Sequence, residues 1–510
     1  MTANGDAIAA PRDDRAEEAM HGAANERAPI LRPIVTIGIL QALAMVFQLA
    51  RSKVVAVTLG PSGVGAISLV DHVAALVAQI ATFSLPFAAV KFLSAAHSTD
   101  RRAFGDLFAA LARALLLFST AGTIVAIGVL LGWPAVLGRE LSQYTDVAIL
   151  AIVAIPAANL FALLTNAMAA AERVRASALY GAANAAAIAV GCALGALLAG
   201  LRGYYLGNIA AMLAVVGGGL LYLDRRESVS LTRKRADLLG ELRRHPQVVA
   251  FAASLYVISF ALPVAHLIAR YAVLEAQGLA AAGLLQASMA LGLALFTVMR
   301  QSNALLLTPA MNRARPAEEK FRHAADYLRV LSLVVAMLAA PLVLFPQWWL
   351  PLLYSRAFLA AAAYAYLFVL AQTIQLFAGV NLALIVGLDH IGAQVWITLC
   401  GLAGLALVAW WLVPHLGIAG VGVAMIFNGA LVFSLSAWQL WVRHGFVIHR
   451  AAGWLPFATT LLIAVAGAFA ARMPEITTAS IVCKFAFCAI FVALGVEGLL
   501  RRQRTLFGGS

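Results

Sequence analysis

Residues 392–413 read GAQVWITLCGLAGLALVAWWLV. The stretch holds no Asp, Glu, Lys or Arg, and only Gln394 and Thr398 break its apolar run. A helix in water needs one polar face. This one has none, and at 1.5 Å per residue it spans a hydrocarbon core of about 30 Å. Windows of the same kind recur near 34–58, 65–92, 104–132, 145–169, 176–200, 204–223, 247–273, 281–309, 326–347, 359–386, 418–440, 453–471 and 479–499. The reading is a polytopic membrane protein with about 14 transmembrane helices. Composition agrees: the 510 residues are 63% hydrophobic and 12% charged, against about 45–50% and about 25% in soluble domains. A soluble enzyme, a secreted disulfide scaffold and a disordered tail protein are excluded.

Residues 1–30 are polar, with Asp13, Asp14, Arg15, Glu17 and Glu18 and no apolar run. They read as a cytoplasmic tail, not a cleaved signal peptide. Cations set the orientation. With the N-terminus inside, 26 Lys and Arg fall in inner segments and 4 (Arg139, Arg202, Arg356 and Arg472) in outer loops. Seven of the 26 crowd the segment 224–246, read as a basic cytoplasmic linker. Both termini are therefore expected in the cytoplasm. The net charge of +13 is assigned to cytoplasmic loops, with no nucleic-acid partner. Cys192, Cys400, Cys483 and Cys488 lie in apolar segments without a CxxC pair, so neither a disulfide framework nor a metal site is readable. There is no P-loop, HExxH or GxSxG; no cofactor and no enzymatic activity are expected.

Three landmarks recur at nearly one offset. Arg51 corresponds to Arg270, Arg139 to Arg356, and Gly200–Gly203 to Gly417–Gly420, at separations of 217 to 219 residues. This points to a duplication. The expected domains are a tail (1–30), a six-helix bundle (31–223), the linker (224–246), a second, pseudo-symmetric six-helix bundle (247–440), and two C-terminal helices with a basic tail (441–510). The fold class is all-α.

Three stretches carry a family resemblance: Arg51-Ser-Lys-Val-Val-Ala-Val-Thr-Leu-Gly-Pro-Ser-Gly-Val-Gly65, Leu353-Tyr-Ser-Arg-Ala-Phe358 and Pro414-His-Leu-Gly-Ile-Ala-Gly-Val-Gly422. Over residues 30–440 the chain resembles the Wzx-like polysaccharide and O-antigen lipid flippases of the multidrug/oligosaccharidyl-lipid/polysaccharide exporter superfamily. The resemblance implies two bundles in a V around a central cavity, worked by alternating access in a bacterial inner membrane. It implies an anionic cargo, an oligosaccharide on undecaprenyl diphosphate, with glycan polymerase and glycosyltransferases as partners.

Charges inside a span cost about 2.5–3.5 kcal/mol each on insertion scales and tend to face a cavity. Six cations lie there: Arg51, Lys53, Arg113, Arg270, Arg300 and Lys484. Arg113 and Lys484 read as snorkelling toward headgroups. Arg51, Lys53, Arg270 and Arg300, with Gln301 beside the last, are the candidate substrate-binding residues, since Arg offers a fork to phosphate oxygens. Asp71, followed by His72, lies as far after Pro61 as Arg51 lies before it. A hairpin sets the two at equal depth, either as a static ion pair or as a proton- or ion-linked gate. The position facing Arg270 holds no acid, so Arg270 is expected to be the cation freer to meet an anion. A cation or drug antiporter of the same superfamily, which needs acids, and an integral-membrane polysaccharide enzyme, which needs a clustered catalytic set, are the alternatives.

Overall fold

Three apolar helices are too long for one crossing. Gly38–Thr82, Val174–Arg226 and Tyr256–Thr297 hold 45, 53 and 42 residues, about 60–80 Å of helix against a core of about 30 Å. Each is broken by a glycine with left-handed φ: Gly60 (66°), Gly200 (61°) and Gly278 (81°). Only glycine takes that conformation without a Cβ penalty, and there the chain folds back on itself.

The computed structural model describes Asp14 to Phe507 except residues 83–84, 228–245, 304–306, 308–309, 312–313, 315, 448–451 and 473–477. Residues 1–13 of the tail and most of the 224–246 linker therefore lie outside the described residues. The helices are α1 (Asp14–Thr82), α2 (Leu85–Thr99), α3 (Arg101–Gly132), α4 (Thr145–Val153), α5 (Ile155–Ala170), α6 (Val174–Glu227), α7 (Pro246–Ser302), α8 (Ala317–Leu344), α9 (Pro346–Leu353), α10 (Ala362–Gly387), α11 (Ile391–Leu416), α12 (Ile418–His444), α13 (Leu455–Arg472) and α14 (Thr478–Phe507). No strand occurs among the described residues. Among the described residues, ten helices are long and apolar enough to cross a membrane. The two arms of α1, α6 and α7 each supply a crossing, and α14, with a shorter apolar stretch (Ser480–Ala493), completes the expected set. The protein is an all-α, multi-pass membrane protein.

The duplication is written in the backbone. Gly60 and Gly278 stand 218 residues apart, and Gly200 and Gly417 217 apart, all with left-handed φ. Glu172 and Asp389, again 217 apart, are the non-glycine residues with left-handed φ among those described. They close α5 and α10 with the same pair of bonds: Arg173 N–H to Met168 O and Glu172 N–H to Ala169 O in one, His390 N–H to Ile385 O and Asp389 N–H to Val386 O in the other.

Small residues let the arms approach. Gly191 and Gly195 on one arm of α6 face Gly207 and Gly203 on the other, so close that a Cβ on any of them meets the opposing carbonyl. Such small-xxx-small pairs replace the hydrophobic drive that lipid cannot supply. The largest contact between halves is α1 on α7. A Cβ on Gly65 runs into the Leu279 carbonyl, and one on Gly283 into the Pro61 carbonyl. The second arms of α1 and α7 thus cross backbone to backbone on the pseudo-twofold axis. Helices α13 and α14 pack on α8, outside the repeat.

Candidate substrate cavity

The end of the molecule carrying the Gly60 and Gly278 breaks, here the turn end, is shut. Besides the Gly65–Gly283 crossing, Glu140 in the loop after α3 accepts the Leu279 N–H at 3.1 Å. A carboxylate there caps the start of the second arm of α7 and suits its dipole. Gly138 packs on the Tyr271 hydroxyl, and Gly417 on the Gln277 amide. Lys53, half-buried, donates to the Pro351 carbonyl of α9. Each contact except the Gly417–Gln277 one joins one half to the other.

Behind this seal lies a cavity of about 640 Å³. It runs between the first arms of α1 and α6 and the second arm of α7, from Leu40, Val174 and Thr297 up to Arg51 and Tyr354. Leu40 precedes Gly60 by twenty residues, about 30 Å of helix, and Arg51 by nine, about 13 Å. The cavity therefore reaches the end opposite the turns and stops at Arg51. A second space of about 120 Å³ continues from that apex, lined by Arg51, Ser68, Asp71, His72, Tyr204 and Gln286 among others.

Of the expected residues, Arg51, Asp71 and His72 share this apex. Arg51 lines both spaces and is flanked by Tyr204, Cys192 and Asp71. Asp71 presents its surface to the small cavity and accepts the Tyr205 hydroxyl at 2.8 Å. Equal depth with Arg51 holds, but no direct Arg51–Asp71 ion pair forms among the described residues: each faces the space between them. His72 donates from Nδ1 to the Ser68 carbonyl at 2.7 Å.

The remaining candidates sit elsewhere. Arg270 lines neither cavity. It is 5% exposed, donates through Nη1 to Ser68 Oγ, and lies 3.6 Å through Nη2 from Met289 Sδ; its Nε has no partner among the described residues. Ser68 in turn donates to Gln286 at 3.3 Å. Arg270 is thus a tie between halves and the less available cation, the reverse of the expectation. The reason is register. The reversal glycines next to the two arginines, Gly60 and Gly278, set the local offset at 218, so the counterpart of Arg51 is Ala269. One residue is a turn of about 100° on a helix, enough to aim Arg270 away from the lumen. Lys53 is held at the turn end, and Arg300 is exposed and lines neither space. The Gln301 side chain lies outside the described residues. Lys484, read as snorkelling, is covered by its neighbours.

Charge counting missed most of the wall. Gln41 and Gln48, with Ser52, form a stripe at i, i+7 and i+11 on the first arm of α1, and Gln286 and Thr297 face the cavity from α7. Thr165, Ser177 and Tyr354 complete the polar lining. Amides recurring at helical spacing within an apolar span were the available signal.

The sequence matches no family profile and no curated protein. Solved structures do match. A lipid II flippase, MurJ, in an inward closed conformation superposes with a TM-score of 0.69 at 11% identity, covering 91% of this chain and 100% of that one. A multidrug resistance MATE family transporter of the MOP superfamily superposes in its inward-facing conformation with a TM-score of 0.63 at 12% identity (85% and 99% covered). An outward-facing MATE family transporter gives 0.58 at 13% (81% and 94%). With its paired glycine-broken hairpins and its cavity between two halves, the chain has the fold of the transporters of the MOP superfamily.

Proposed function

We propose that the protein is a flippase, a transporter and not an enzyme. Its cargo is an oligosaccharide on undecaprenyl diphosphate, moved by alternating access from the cytoplasmic to the periplasmic leaflet of a bacterial inner membrane for cell-surface polysaccharide synthesis. One observation carries the reading: Arg51 stands at the sealed apex of a cavity that holds no other formal charge among the described residues. A diphosphate entering from the open end meets one guanidinium, which offers charge-assisted, forked bonds to its oxygens. The 26-to-4 cation bias supports an open end and both termini on the cytoplasmic side, the side on which glycosyltransferases would hand over such a lipid, with a polymerase as partner on the far side. The resemblance in sequence and the superposition on a lipid II flippase support the same cargo class.

A cation or drug antiporter is the second reading, favoured by Asp71 facing the small cavity. A cation reaching Asp71 from the large cavity passes Arg51 first, which repels it. In the flippase, Asp71 and His72 instead serve as an ion-linked gate, with Asp71 answering to Arg51 across the small space. Proteoliposomes carrying a fluorescent short-chain polyprenyl-diphosphate disaccharide test the reading. Wild type moves the lipid between leaflets. Arg51→Ala loses a charged hydrogen bond of about 1.5–3 kcal/mol and slows transfer tenfold or more. Arg51→Lys recovers part. A wild-type protein that exports cations and leaves the lipid in place refutes the flippase.

A further inference from the structure

The wall below Arg51 limits what sugar the cavity holds. From the apex down it offers three primary amides (Gln41, Gln48 and Gln286) and four aliphatic hydroxyls (Ser52, Thr165, Ser177 and Thr297), with no Lys, Asp or Glu and no Arg besides Arg51 among the described residues. Gln41 and Gln48 are exposed to the cavity, and their side chains make no hydrogen bond among the described residues. Within a membrane span such amides need a partner, and each carries two donors and two lone pairs. A sugar hydroxyl, donor and acceptor at once, answers both. Leu40, Leu49, Ala290, Leu293 and Ala294 line the same cavity, apolar surface for the C–H faces of a pyranose ring.

A charged sugar finds nothing there. A hexuronate carboxylate beside the Gln48 amide meets no cation, because the guanidinium of Arg51 is taken by phosphate and Arg270 and Arg300 point elsewhere. Burying an ion without a counter-charge costs far more than burying a hydrogen-bonded hydroxyl. A free amino sugar finds no acid in the wall among the described residues. The volume, about 640 Å³, is that of a site for a drug-sized group, so selection acts on the sugars nearest the phosphates, not on the whole glycan.

We infer that the cargo's phosphate-proximal sugars are uncharged, of hydroxyl or acetamido type, and are recognised by the Gln41–Gln48–Gln286 amides. The inference rests on the flippase reading and deepens it. Three probes separate the two: undecaprenyl diphosphate alone, the same lipid bearing a neutral hexose disaccharide, and the same lipid bearing a hexose–hexuronate disaccharide. Binding to the full chain in nanodiscs is followed by the shift of its thermal unfolding midpoint across a titration. The neutral glycolipid is expected to bind about tenfold or more tighter than the uronate form, and tighter than the bare lipid. Gln48→Lys, or Gln41→Lys should the first variant not accumulate, places a cation in the wall and removes or inverts that preference. Equal or tighter wild-type binding of the uronate glycolipid overturns the inference and leaves the flippase standing. So does binding of both glycolipids no better than the bare lipid. Absence of binding by all three lipids overturns the flippase and the inference together.

Discussion

Replacing Gly65 by alanine tests the seal directly. The added methyl is aimed at the Leu279 carbonyl and stands 2.9 Å from the Gly283 nitrogen, where optimal carbon contacts need about 3.5–4.0 Å. Both obstacles are backbone, so no side-chain rotation relieves them, and the two arms must part by about 1 Å. Overpacking of this kind costs about 1–3 kcal/mol. The cost falls on the closed turn end alone, because in the opposite state of an alternating-access cycle these arms separate. A penalty confined to one state shifts populations, here about 5- to 150-fold toward an open turn end. Spin labels at Ser62 and Ala280, both exposed at the turn end on opposite halves, with the four cysteines replaced, report it by double electron–electron resonance. The short-distance population of the wild type is expected to give way to a longer one in Gly65→Ala and in its counterpart Gly283→Ala. Gly128→Ala in α3, where a Cβ meets open space, is expected to leave the distances as they are. Wild-type distances and wild-type stability in Gly65→Ala refute the crossing as the seal.

Arg270→Ala removes the tie to Ser68; it is expected to lower the unfolding midpoint and protein level while leaving the affinity for undecaprenyl diphosphate within about threefold of wild type, whereas Arg51→Ala does the opposite. A larger loss of lipid affinity in Arg270→Ala than in Arg51→Ala returns Arg270 to the binding site. Asp71→Asn still accepts the Tyr205 hydroxyl through its amide oxygen, so normal accumulation is expected with loss of transport driven by an ion gradient in energised vesicles; undiminished gradient-driven transport removes Asp71 from coupling. A cysteine introduced at Ser228 in the basic linker is expected to escape an impermeant thiol reagent in intact cells, and its ready labelling inverts the topology.

Hydropathy sums over a window, and its result does not depend on which way a side chain points. For that reason the crossings, the all-α class, the two C-terminal helices and the near-constant repeat offset were legible in the sequence. The glycine breaks at Gly60 and Gly200 were legible too, since the chain must turn within a few residues of them. The Arg51–Asp71 depth match followed from counting outward from Pro61, because a hairpin preserves that count. What linear counting does not carry is azimuth. An offset of 219 made Arg51 and Arg270 look equivalent, while the backbone beside them repeats at 218, from Gly60 to Gly278, and that single step turned one guanidinium into the lumen and the other into the interface. The neutral wall escaped notice for a related reason. One or two amides leave a long apolar window apolar in sum, and Gln41, Gln48 and Gln286 become a site only when arms distant in sequence stand around one space. Composition and spacing alone determined that the chain crosses a membrane many times as two related halves. Only the tertiary structure decided which polar groups share the cavity, because that depends on helix rotation and on how closely glycine lets two backbones approach.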